Sequence, residues 1–133
     1  MNINKFTQKS IEAVNSLEKL AYEYGNQEIE EEHLLYALLT QEDSLILKLI
    51  EKMEIQKEYF IDTVKKALDA KVKVSGGELR FGQYLNKALV SAEDEAKAMG
   101  DEYVSVEHLF LSMLKNPSPS MKKIWSEFGI TKE

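Results

Sequence analysis

Two short acidic–imidazole clusters hold the side chains of this 133-residue chain best suited to chemistry: Glu30-Glu31-Glu32-His33 and Ser105-Val106-Glu107-His108. Glu30-x-x-His33 has the spacing that places a carboxylate and an imidazole on one helix face, as in di-iron bundles. A matching pair would need glutamate at 105, where Ser105 stands, and the chain has two histidines and no cysteine. The zinc motif H-E-x-x-H is missing from both clusters. No metal ligands are therefore assigned, and a helical metal-binding protein using Glu30 and His33 is kept only as an alternative. The histidines read better as first-turn residues capping backbone groups beside a core. A Ser-His-Asp hydrolase has no serine at a strand-to-helix elbow. Gly77 and Gly82 have phosphate-loop spacing, but Gln83 follows where lysine is required and no strand precedes. No catalytic residue and no cofactor is assigned to this chain.

The two clusters are copies of one another. Gly25 through Leu39 recurs as Gly100 through Leu114, each a glycine, a short extended hop, then Glu-His-Leu opening an apolar helix. The offset is 75 residues, and Phe6–Ile55 against Phe81–Ile130 gives 13 identities in 50 gap-free positions. A duplicated helical unit follows. Duplication puts a carboxylate, Glu32 and Glu107, at the same helix position twice. There it can meet the N–H groups of a peptide or a cationic side chain while the adjacent leucine faces inward. The other acids, Glu28, Glu31 and Glu102, read as solvated helix starts.

The elements that position these residues follow from periodicity. Thr7 caps a first helix running to Gly25 on Ile11, Val14, Leu17, Leu20, Ala21 and Tyr24. A short helix spans Glu30 to Leu39, its acidic first turn meeting the positive end of the dipole. Asp43 or Ser44 caps a third through Met53, with Leu45, Leu49, Ile50 and Met53 inward. A fourth covers Glu58 to Val72 on Phe60, Ile61, Val64 and Leu68. Residues 73–80 form a polar, flexible linker between repeat one (1–72) and repeat two (81–133). In the second repeat a helix reaches Met99, Ser105 caps the next, and Ser118-Pro119 starts one that Gly129 ends. Thr131-Lys132-Glu133 reads as the beginning of a matching last helix, which suggests a domain cut from a longer chain. The fold expected is all-α: one domain, a tandem duplicated helical bundle with pseudo-twofold symmetry.

Composition narrows the function classes. Hydrophobic content of 44% and charged content of 30% suit a globular domain. The net charge of −6 argues against nucleic acid and against an anionic membrane surface. No apolar run approaches the ~20 residues of a membrane span. Without cysteine there is no disulfide framework, and a reducing cytoplasm is the default compartment. Each copy alone is too small to bury its helix faces. The copies should pack and leave a seam edged by carboxylates, suited to apolar, positively charged peptide segments.

These residues resemble the N-terminal domain of the Clp-type AAA+ chaperone ATPases. Ala96-Lys97-Ala98-Met99-Gly100-Asp101-Glu102-Tyr103-Val104-Ser105-Val106-Glu107-His108-Leu109 is most similar to the ClpB disaggregases, as are Phe6-Thr7 and Val74-Ser75-Gly76-Gly77. The resemblance implies a non-catalytic substrate-recognition domain above a homohexameric ATPase ring. ATP would be bound by modules outside this chain, and the DnaK chaperone would cooperate. Unfolded or aggregated clients would lie in a groove between the repeats, with Thr7, Asp101 and Glu107 matching its polar contacts. Glu32 would mark a possible second acidic site. The alternative the resemblance offers is a ClpC- or ClpA-type domain that docks adaptor proteins, or takes phosphoarginine on Glu32 and Glu107. Gly82 stands where repeat one has Thr7, which weakens a symmetric second site, and His108 makes the groove less greasy.

Overall fold

The extended hop of each repeat pairs with the lead-in strand of the other. The computed structural model describes residues 2–74 and 76–131. In repeat one, β1 (Glu28–Ile29) pairs in parallel with β2 (Arg80–Phe81), Ile29 opposite Phe81. Phe6 forms the corresponding parallel bridge with Val104. Under the 75-residue offset Phe6 is the counterpart of Phe81, and Ile29 that of Val104. The two pairings are thus exchange images of one another. Gly82 N–H donates to Ile29 O at 2.7 Å, and Thr7 N–H to Val104 O at 3.0 Å.

The helices follow the periodicity closely. In repeat one, α1 (Gln8–Asn15) and α2 (Leu17–Glu23) replace the single expected helix. Ser16 separates them: its hydroxyl donates to Ala13 O at 2.8 Å, which tightens one turn without stopping the chain's course. α3 (Glu31–Leu39) is the central helix of the repeat, with Leu34, Leu35 and Leu38 fully buried. α4 (Leu45–Lys52) starts at Ser44, whose hydroxyl accepts from Leu47 N–H. Its buried face is Ile46 and Ile50, whereas Leu45 and Met53, expected inward, are each 42% exposed. Ser44 buries its own hydroxyl on Leu38 O, and this cap fixes the rotation of the helix. α5 (Lys57–Asp69) buries Phe60, Val64 and Leu68 and ends before the expected Val72, which lies exposed.

In repeat two, α6 (Gln83–Ala98) is one continuous helix, α7 (Val106–Lys115) is the counterpart of α3, and α8 (Pro119–Phe128) that of α4. Ser118 caps α8 with proline next, and Gly129 ends it at φ 64°. The helices cross over between repeats: α4 packs on α7, and α8 on α5. Phe60 stacks on Trp125, centroids 6.5 Å apart, and meets the edge of Phe128 at 4.9 Å. One apolar core therefore draws on both copies, as expected when neither can bury its helix faces alone.

The segment between repeats is pinned at both ends. Val74 N–H donates to Gly25 O at 2.9 Å, Lys73 Nζ to Tyr24 O at 2.6 Å, and Arg80 N–H to Gln27 O at 3.1 Å. The expected free linker is thus anchored along the Gly25–Ile29 turn. Ser75 of that linker lies outside the described residues, as do Lys132 and Glu133 of the further helix expected from Thr131.

Candidate functional site

Both histidines are built into helix starts. His33 Nδ1 accepts from Glu30 N–H at 2.8 Å, and His108 Nδ1 accepts from Ser105 N–H at 2.8 Å. An accepting Nδ1 fixes the proton on Nε2. His33 Nε2 then donates to Asn26 Oδ1 at 3.0 Å, and His108 Nε2 to Asp101 Oδ2 at 2.8 Å. Burial, followed by the charge of Lys71, lowers the His33 pKa to about 4, so it is neutral at pH 7. With both ring nitrogens spent and Glu30 paired to Lys71 at 3.2 Å, Glu30-x-x-His33 is a capping arrangement rather than a ligand pair.

Ser105, His108 and Asp101 have the composition of a hydrolytic relay, with Ser105 Oγ 3.1 Å from His108 Nδ1. The Nδ1 lone pair is already taken by the backbone N–H. Repeat one builds the same arrangement with Glu30 and Asn26 in place of serine and aspartate, which marks it as structural.

The residues expected to touch a client lie on or against the 101–107 stretch but do not line one cavity. Thr7 caps α1: its Oγ1 accepts from Ser10 N–H at 3.3 Å and donates to Ser10 Oγ at 3.0 Å. Ser10 Oγ in turn donates to Val104 O at 2.9 Å. Thr7 is half-buried; its hydroxyl is committed to Ser10, and its backbone N–H and the Ser10 hydroxyl join the repeats at Val104 O. Asp101, its side chain 49% exposed, borders a cavity of about 300 Å³ with Lys5, Glu93, Ala96, Lys97, Glu102 and Val104. Glu107, in the first turn of α7, is exposed and makes no ion pair among the described residues. Thr7 and Glu107 are not walls of the Asp101 cavity. What the three share is attachment to the 101–107 stretch.

Glu32 departs from its counterpart. It is fully buried, its Oε1 lies 3.3 Å from Lys71 Nζ, and its Oε2 accepts from the Ser120 hydroxyl. Glu31, expected in solvent, is fully buried too. Its Oε1 accepts from Ser118 N–H at 2.8 Å, while Oε2 has no hydrogen-bond partner among the described residues. Burial raises its pKa to about 7, the Ser118 N–H opposes the shift, and Glu32 adds to it. Sequence reasoning named Ser118 only as a helix start and did not single out Lys71 or Ser120. Lys71 and Ser120 give no local signal, because their partners are 39 and 88 residues away in the chain. Gly82 caps α6 without a side chain, and a Cβ there would lie 2.9 Å from Glu28 Oε1 and 3.2 Å from Ile29 O. A side chain at this place would press on the Glu28 carboxylate and the β1 backbone, so repeat two caps α6 with backbone alone.

Fold and site together define an all-α domain of two interlaced helical repeats whose buried polar side chains join the copies. Residues 5–128 match the Clp repeat (R) N-terminal domain, and the chain belongs to that family. Two relatives, each a chaperone protein ClpB, come from Nitratidesulfovibrio vulgaris and Clostridium tetani. They are 37% and 38% identical over the whole of this chain, which spans 16% of the length of each. The N-terminal domain of Hsp104 from Candida albicans superposes with a TM-score of 0.83 at 24% identity, covering 96% of this chain and 84% of that one. A ClpV N-domain solved in complex with a VipB peptide gives 0.76 at 20% identity, covering 98% of this chain and 81% of that one. Among the described residues no helix is long and apolar enough to cross a membrane.

Proposed function

We propose that this domain recognises clients for a ClpB-like, ATP-dependent disaggregase, holding unfolded or aggregated polypeptide against the seam between the repeats. One observation carries the reading: the segments walling the Asp101 cavity expose Ile3, Met99 and Tyr103 beside the carboxylates of Glu93, Asp101 and Glu102. Three acids against the two lysines of the same lining, Lys5 and Lys97, leave an acidic excess beside exposed apolar side chains, which suits peptide segments that mix apolar and basic residues. The likeness to ClpB chaperones supports it. Catalysis has no part in the proposal; ATP hydrolysis belongs to modules elsewhere in a longer, hexameric, cytoplasmic protein that works with DnaK.

The phosphoarginine reading needs Glu32 and Glu107 both open, and burial of Glu32 removes one of them. The test is a titration with a reduced, alkylated unfolded polypeptide, followed by backbone amide shifts. Perturbation is expected across residues 99–107 and at Thr7. Shifts confined to other faces would overturn the assignment.

A further inference from the structure

Glu32 and Glu107 were laid down by duplication at one position, yet only one of them faces solvent. The Lys71 ammonium lies between Glu30 Oε2 at 3.2 Å and Glu32 Oε1 at 3.3 Å, with its side chain 12% exposed and that of Glu32 1%. The segment just past α5 delivers it, and that segment is fixed by Asn26, whose Nδ2 donates to Val72 O at 3.1 Å. Asn26 is held by His33 Nε2 in turn. An amide can accept from the imidazole and donate to a carbonyl at once; the carboxylate of Asp101, its counterpart, can only accept. The chemistry that anchors the Lys71 segment is therefore present on one side of the pseudo-twofold axis and absent from the residue that matches it.

We propose that Lys71 is a built-in occupant of the acidic site of repeat one: the protein's own ammonium fills the place a partner's cationic side chain would take. The domain then offers one carboxylate, Glu107, to a basic client segment instead of two. This rests on the client reading above, and it assigns Lys71 as the residue that sets the number of cation sites. Because Glu32 also accepts from Ser120 of α8, the same ammonium helps hold α5 and α8 together through Glu32.

The probe is an acetylated, amidated hexapeptide of alternating leucine and arginine, with the glutamine-for-arginine peptide as the uncharged control. In the wild-type domain, arginine-dependent amide shifts are expected around Glu107 and none at Glu32 or Ser120. In Lys71→Met, which keeps the apolar stem, a second set is expected at Glu32 and Ser120, with bound peptide rising from one to two per chain. Should Lys71→Met fail to fold, the comparison is made in Lys71→Met/Glu31→Gln, which removes the neighbouring buried carboxylate that repels the unpaired Glu32. Shifts at Glu32 and Ser120 already present in the wild type, or none in a folded variant lacking the ammonium, overturn the proposal. New shifts at Glu32 in Lys71→Met, without any at Glu107 in either protein, would support the Lys71 assignment and defeat the client reading.

Discussion

Glu31 reaches from α3 of repeat one to the backbone N–H of Ser118, 2.8 Å away at the start of α8 in repeat two. Its other oxygen meets no donor among the described residues. The positive end of α8 favours the carboxylate, and burial opposes it. Burial prevails, since the pKa rises to about 7.

Stability should respond to that balance. A folded pKa above the unfolded value of 4.5 gives a contribution fully present below pH 4.5 and lost as pH rises through about 7. By linkage the loss is about 3 kcal/mol at most. His33 works in the opposite sense: its contribution is full above 6.5 and lost as pH falls through about 4. Comparing Glu31→Gln with the wild type isolates the first effect. The variant should be more stable by about 1–2 kcal/mol at pH 8 and equal within error near pH 4.5. Thermal melts at the two pH values check it, and a difference independent of pH would refute it.

Asp101→Asn is expected to separate charge from architecture. Repeat one already builds the same histidine contact with Asn26, so the variant should fold with a stability change of no more than about 0.5 kcal/mol. Its affinity for basic, apolar peptides should fall several-fold. Equal binding by isothermal calorimetry would remove Asp101 from the client surface.

Reversing Glu107 to lysine acts on an exposed carboxylate without an ion-pair partner among the described residues. Stability should hardly change, while peptide affinity drops roughly three- to tenfold at low salt, with the loss shrinking as salt rises. Fluorescence anisotropy across a salt series reads both effects.

Thr7 carries two duties that substitution can divide. Thr7→Ala removes the cap of α1 and the hydroxyl that binds Ser10, at a cost of about 1 kcal/mol, whereas Thr7→Gly, the residue repeat two uses at this place, costs only a few tenths. Urea unfolding ranks the two variants, and reversal of that order would show that capping is not what Thr7 supplies.

Local chemistry explains what could be read from the chain. Thr7 and Ser118-Pro119 announced helix starts, and Gly25, Gly100 and Gly129 announced helix ends at positive φ. The 75-residue duplication makes the two-repeat fold legible in the sequence itself. What stayed hidden depends on distant partners. In sequence Glu31 and Glu32 belong to an acidic first turn like that of Glu107, and what distinguishes them is the start of α8 and the Lys71 ammonium closing over them. On α4 Ile50 is buried as expected, but Ile46 takes the inward place expected of Leu45, because rotation about the helix axis is set with its cap on Leu38 and not by hydrophobicity alone. Thr7 joins the 101–107 stretch only through its backbone N–H on Val104 O, and the cavity takes in Asp101 while leaving Thr7 and Glu107 outside. Sequence identity between copies cannot convey that distinction.

The crossed strands, Phe6 against Val104 and Phe81 against Ile29, have a bearing on ancestry and on engineering. Each half lends its opening segment to its twin, as partners do in an arm-exchanged homodimer, so the present chain has the form of such a dimer joined end to end. Halves expressed separately should be poor folders alone and should recover structure when mixed.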